Sequence, residues 1–100
     1  MNKDIIFSWN SEKNKRNIKK HSVSFEEALS VFYDEEALVI FYDEHSAAED
    51  RFVIIGTSNL LRTLVVCHCY RQEEDEIRII SARKANIKER KQYENSLKRR

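Results

Sequence analysis

The sequence of 100 residues contains no proline and a single glycine. That scarcity excludes collagen-like, linker-like and proline-rich chains. No apolar run approaches the roughly 18 residues of a membrane span. The opening MNKDIIFSWN is too polar for a signal peptide. The expectation is a cytoplasmic protein with no membrane association. Cysteine is also scarce, with Cys67 and Cys69 alone. On a strand these two point to the same face, a poor geometry for a mutual disulfide, so both are read as reduced thiols. His68 between them suggests a metal site, but strand alternation turns it to the opposite face, and ordinary sheet packing is the reading.

What is present is enough for one core. Hydrophobic residues make up 41% of the chain and aromatics 10%. A chain of this size buries about two-thirds of the surface it exposes when unfolded, so residues 1–100 are expected to form one domain.

The net charge of +1 hides a strong local imbalance. Residues 1–22 sum to +4, residues 23–50 to −9, and residues 51–72 and 73–100 to +3 each. A basic surface suited to a polyanion can therefore coexist with an acidic one suited to a cationic partner. Solvated faces produce the same pattern.

Ile5, Ile6 and Phe7 read as a short edge strand ending near Trp9. Asn10 or Ser11 then caps a helix to about Lys20 whose only large apolar residue is Ile18. Lys13, Asn17, Lys20 and His21 share one face of it, exposed to solvent or facing RNA. Ser24-Phe25-Glu26-Glu27 is a capping box, followed by a core-facing stripe of Phe25, Ala28, Leu29 and Phe32.

After Asp34-Glu35-Glu36 the pattern changes. Leu38–Tyr42, Arg51–Ser58, Thr63–Arg71 and Glu76–Ala82 are rich in β-branched and aromatic residues. Short links between them predict an antiparallel meander. Val65-Val66 and Ile54-Ile55 put apolar groups on both faces, so helices are expected to cover part of each. A last helix is predicted from about Arg83 to Arg100. The fold class is α+β: an antiparallel sheet of four to five strands, two N-terminal helices and one C-terminal helix.

Chemistry-bearing groups stand at element ends. Lys20 and His21 close the first helix, Glu49, Asp50 and Arg51 open a strand, and Arg78 and Arg83 bracket Ile79-Ile80-Ser81-Ala82. Metal-free cleavage of RNA needs such a set: a base for the ribose 2′-OH, cations for the phosphate, and an acid for the leaving 5′ oxygen. Arginine suits the phosphate because its planar fork bonds two oxygens, and histidine can exchange protons near pH 7. A structural salt-bridge network is the commoner explanation of such residues. Alternation adds a constraint: Arg78 and Arg83 face opposite ways in one unbroken strand, so they share a site only if the strand ends near Ser81.

Phe7-Ser8-Trp9-Asn10, Lys13, Asn17, Lys20-His21 and Val23-Ser24-Phe25-Glu26-Glu27-Ala28 resemble the N-terminal signature of the BrnT toxins. Asp43-Glu44-His45-Ser46, Glu49-Asp50-Arg51, Ile55-Gly56, Arg62, Arg78 to Arg83, and Glu89-Arg90 with Tyr93 continue the resemblance in order. It implies a RelE-like fold and a metal-independent endoribonuclease that inhibits translation, without cofactors. It also implies a BrnA-like antitoxin as partner, with DNA contacted only indirectly through that antitoxin. The active-site residues carried over are Lys20, His21, Glu49, Arg51, Arg78 and Arg83. The chain departs from the family at three turns. Ser22 stands where glycine usually follows Lys-His, Asp34-Glu35 replaces Asp-Pro, and Leu61 replaces the glycine often found before the arginine. A catalytically silent module that only pairs with an antitoxin-like partner is the alternative function.

Overall fold

A computed structural model describes residues 4–42, 51–71 and 75–98. In chain order its elements are β1 (Ile6–Ser8), α1 (Ser11–His21), α2 (Phe25–Ser30), β2 (Leu38–Tyr42), β3 (Arg51–Thr57), β4 (Thr63–Arg71), β5 (Glu76–Lys84) and α3 (Ile87–Lys98). A 3-10 turn over Val31–Tyr33 continues α2. The strands form one sheet in the order β1-β5-β4-β3-β2.

Strands β2 to β5 are the antiparallel meander that the short links predict. β1 differs: it pairs with β5 in parallel, Phe7 opposite Ile77. No hairpin joins those two strands, so nothing in the connection imposes an antiparallel direction.

Both faces are covered. On one, Val23, Phe25, Ala28 and Val31 pack on Ile54, Leu64, Val66, Ile79 and Ala82. On the other, Ala85 and Tyr93 pack on Ile55 and Val65. Adjacent apolar pairs such as Val65-Val66 thus serve two cores, the pattern expected of a strand buried on both sides.

Both helix starts form as the caps dictate. The Asn10 side chain accepts from the Lys13 N–H at 3.0 Å, and Ser24 accepts from the Glu27 N–H at 3.0 Å. One member of the polar stripe of α1 has a different explanation from RNA or solvent. Asn17 is buried, its Nδ2 donating to the carbonyls of Val23 and Ala82 at 2.8 Å and its Oδ1 accepting from the Ala82 N–H at 3.1 Å. It thereby satisfies the β5 edge beyond the reach of the three-residue β1.

Two of the departing turns fall on left-handed backbone. Ser22, the C-cap of α1, has φ 60°, and Leu61 has φ 62°. Leu61 closes the β3–β4 hairpin, where its N–H donates to the Ser58 carbonyl at 2.9 Å. A loop of this length ordinarily places glycine there. Gly56 is required for another reason: a Cβ would sit 3.0 Å from Ala37 Cβ, Asp34 Oδ2 and Val31 Cγ1.

The last boundary also moves. β5 stays paired through Lys84, opposite Leu64, and α3 begins at Ile87 rather than near Arg83. The helix waits for Asn86, whose side chain accepts from the Glu89 N–H at 2.8 Å.

Candidate active site

The face of the sheet that carries α3 holds a cleft of about 440 Å3. Val53, Ile55 and Val65 give it an apolar floor, and Arg51, Cys67, Ser81, Arg83, Glu89 and Gln92 supply its polar groups. Arg51 opens β3 and by alternation stands on the same face as Val53 and Ile55.

Arg83 arrives there through an irregularity in β5. Cys67 pairs with Ser81 and the next residue, His68, with Ile79, so Ile80 is an extra residue in β5. Such a bulge reverses the alternation beyond it. Ile79 and Ala82, three apart, consequently both enter the core under the N-terminal helices. By the same shift Arg78 (opposite Cys69), Ser81 (opposite Cys67) and Arg83 (opposite Val65) share the cleft face. The arginines are brought together by a bulge, not by termination of the strand at Ser81.

Arg83 is held by Glu89 through two parallel bonds, Nη1 to Oε1 and Nη2 to Oε2, each 2.8 Å. Glu89 Oε1 also accepts from the Asn86 N–H at 2.9 Å. The arginine holds the Glu89 carboxyl below its usual range, against the opposing effect of burial and with help from Asn86. Burial pushes the Cys67 thiol up, although the nearby Arg51 charge and Ser81 pull the other way. Arg51 Nε is buried without a hydrogen-bond partner among the described residues.

Of the six site residues expected from the sequence, Arg51 and Arg83 line the cleft, and Arg78 stands on its face without lining it. Lys20 and His21 end α1 outside the lining, and their side chains bond no other described residue. Glu49 lies outside the described residues. The sequence reading missed Glu89, Cys67 and Gln92. Glu89 was findable, because Asn86-Ile87-Lys88-Glu89 is a helix-start pattern once the helix is not begun at Arg83.

Other polar groups do structural work. Glu27 is buried, accepting from Ser58 Oγ at 2.7 Å and from Arg62 Nε at 2.9 Å. Arg62 also donates to the Ser22 carbonyl at 2.9 Å, tying down the left-handed turn. The arginine holds the Glu27 carboxyl below its usual range, against burial. His68, fully buried, lies between Phe32 (ring centroids 4.8 Å apart) and Tyr70 (5.3 Å), on the face away from Cys67. Burial lowers it to about 4, which the Val66 carbonyl opposes. Both cysteines are free, and among the described residues no three His, Cys, Asp or Glu side chains gather as a metal site.

The crystal structure of the Brucella abortus ribonuclease toxin BrnT is similar to this chain, with a TM-score of 0.58 and 26% identity over 83% of this chain and 99% of that one. A search of curated proteins gives no significant match. The model of the family described as the ribonuclease toxin BrnT of type II toxin–antitoxin systems matches residues 9–89. With four-fifths of its length so matched, and the meander and helices in place, the chain belongs to the BrnT ribonuclease toxin family.

Proposed function

We propose that this chain cleaves RNA without a metal ion, by attack of a ribose 2′-OH on its own 3′ phosphate. The base takes the 2′-OH proton, the new O–P bond forms as the P–O5′ bond breaks, and an acid protonates the departing O5′. The products are a 2′,3′-cyclic phosphate and a free 5′-hydroxyl. The observation that carries this reading is the convergence of Arg51 and Arg83 on one apolar-floored cleft. Excluded water strengthens a guanidinium's hold on developing phosphate charge.

Arg83 is assigned to the phosphate, oriented by Glu89; Arg51 assists from β3, and Arg78 steers the neighbouring phosphate. Lys20, His21 and Glu49 are assigned to proton transfer, which requires the scissile phosphate to bind at the mouth of the cleft, within reach of both Arg83 and the basic end of α1. Cleavage in the cell inhibits translation. A BrnA-like antitoxin, itself the only route to DNA, neutralises the protein.

The test is incubation of the purified protein with RNA in EDTA, with end-group analysis of the products. Cyclic or 3′-phosphate ends with 5′-hydroxyls support the proposal; cleavage only on addition of a divalent metal overturns it. Expression of the chain alone separates it from a silent antitoxin-binding module, since only the enzyme arrests growth.

A further inference from the structure

The opposite face of the sheet carries a second concavity that the chemistry above does not use. It is a trough of about 540 Å3 running from β1 past the Val31–Tyr33 turn to β2. Ile5, Phe7, Phe32, Tyr33, Val39 and Tyr70 line it. Four of these are unusually exposed for their size: Ile5 54%, Tyr33 73%, Val39 51% and Tyr70 45%. A smaller hollow of about 310 Å3 adjoins it, sharing Ile5, Tyr70 and Ile77. An apolar surface this continuous on a small domain marks an interaction site.

The charges around it select the occupant. The two linings carry Asp4, Asp34, Asp75 and Glu76 against a single basic residue, Arg71. Such a rim repels RNA and anionic lipid and attracts Lys and Arg. Tyr33 and Tyr70 at the lip are the kind of side chain that anchors protein contacts.

We propose that this trough is the docking site of the antitoxin, taking a short amphipathic segment whose apolar anchors are flanked by basic residues. The proposal rests on the antitoxin pairing inferred above. It adds that the principal contact lies across the sheet from the cleft, so that binding and RNA cleavage can be separated by substitution.

The experiment measures affinity between the purified full-length chain and the purified antitoxin encoded in the same operon, by calorimetry at two salt concentrations. The double variant Tyr33→Lys/Val39→Lys should weaken binding by about 30-fold or more, the scale of losing one anchor residue. Asp4→Lys should weaken it less and flatten its salt dependence. The conservative pair Tyr33→Phe/Val39→Ile should bind as the parent does. All variants should cleave RNA at the parental rate and melt at the parental temperature. Parental affinity in the lysine double variant overturns the docking site while leaving the cleavage reading intact. Failure of the parent itself to bind overturns the pairing, and with it this site. Light scattering showing a parental dimer that the lysine variant splits assigns the trough to a second copy of the chain and also overturns the proposal.

Discussion

Glu89 clamps Arg83 with two 2.8 Å hydrogen bonds while closing the start of α3 through Asn86. These two tasks separate by substitution. Glu89→Gln keeps an acceptor for the Asn86 N–H but loses the carboxylate that fixes the guanidinium. It should melt close to the parent and cleave RNA about 10- to 100-fold more slowly, the scale of misplacing a catalytic group. Glu89→Ala should be equally slow and also lose about 1 kcal/mol of stability with the cap.

Arg51→Ala and Arg83→Ala should each reduce single-turnover cleavage by about 100-fold or more, the scale of removing one transition-state donor. Circular dichroism should show the fold unchanged. Arg83→Lys should not restore the rate, because an ammonium cannot reproduce the planar fork that meets Glu89 and a phosphate together. Parental rates in all three variants would exclude the cleft as the active site.

Ser22 and Leu61 occupy left-handed backbone that glycine adopts without a Cβ clash. Ser22→Gly and Leu61→Gly should therefore each stabilise the fold by about 1 kcal/mol, net of the added freedom of the unfolded chain. That corresponds to a rise in Tm of about 4–8 °C for a domain of this size. A fall in Tm for either variant would contradict the strain assigned to that turn.

His68 makes stability depend on pH. Buried among rings, it titrates near 4 when folded, against 6.5 ordinarily. Between those values the unfolded chain binds a proton that the folded chain does not, so stability is full above about pH 6.5 and is lost as pH falls toward 4. Denaturant titrations should show a loss of about 2 kcal/mol from pH 7 to pH 5. His68→Phe should remove most of that slope. Glu27 and Glu89, whose carboxyls are held low by Arg62 and Arg83, add their own loss only at more acid pH.

Asn17→Ala strands the N–H and C=O of Ala82 and the carbonyl of Val23. Each stranded buried group costs about 1–3 kcal/mol. The variant should unfold at clearly lower denaturant, and a midpoint equal to the parent's would refute the edge-sealing role of this amide.

Most of the fold was legible because local chemistry and burial agreed. The Asn10 and Ser24 caps, the Phe25–Ala28 stripe and the meander each followed from patterns a few residues long. What was hidden depended on distant partners. The parallel direction of β1 comes from β5, some 70 residues away. The role of Asn17 depends on β1 ending its pairing at Arg78, which leaves the outer edge of Ala82 to a side chain. At the site, Arg51 and Arg83 could be named from residue type, and alternation set the right question about Arg78. The answer lay in an unpaired isoleucine, which no local pattern announces. Ile80 is apolar and β-branched like Ile77 and Ile79 before it.

The Ile80 bulge makes the parity of the spacing between Arg78 and Arg83 the quantity on which this surface depends. A gene shortened by one codon there would encode nearly the same protein and pass any inspection for retained arginines. An even ladder would then keep the two arginines, four apart, on one side of the sheet, whereas the present spacing of five drawn into an even ladder would sort Arg78 and Arg83 to opposite sides. Among relatives of this chain, spacing and bulge therefore go together: a one-residue gap here leaves both arginines on the cleft face, and the five-residue spacing does so only with the bulge.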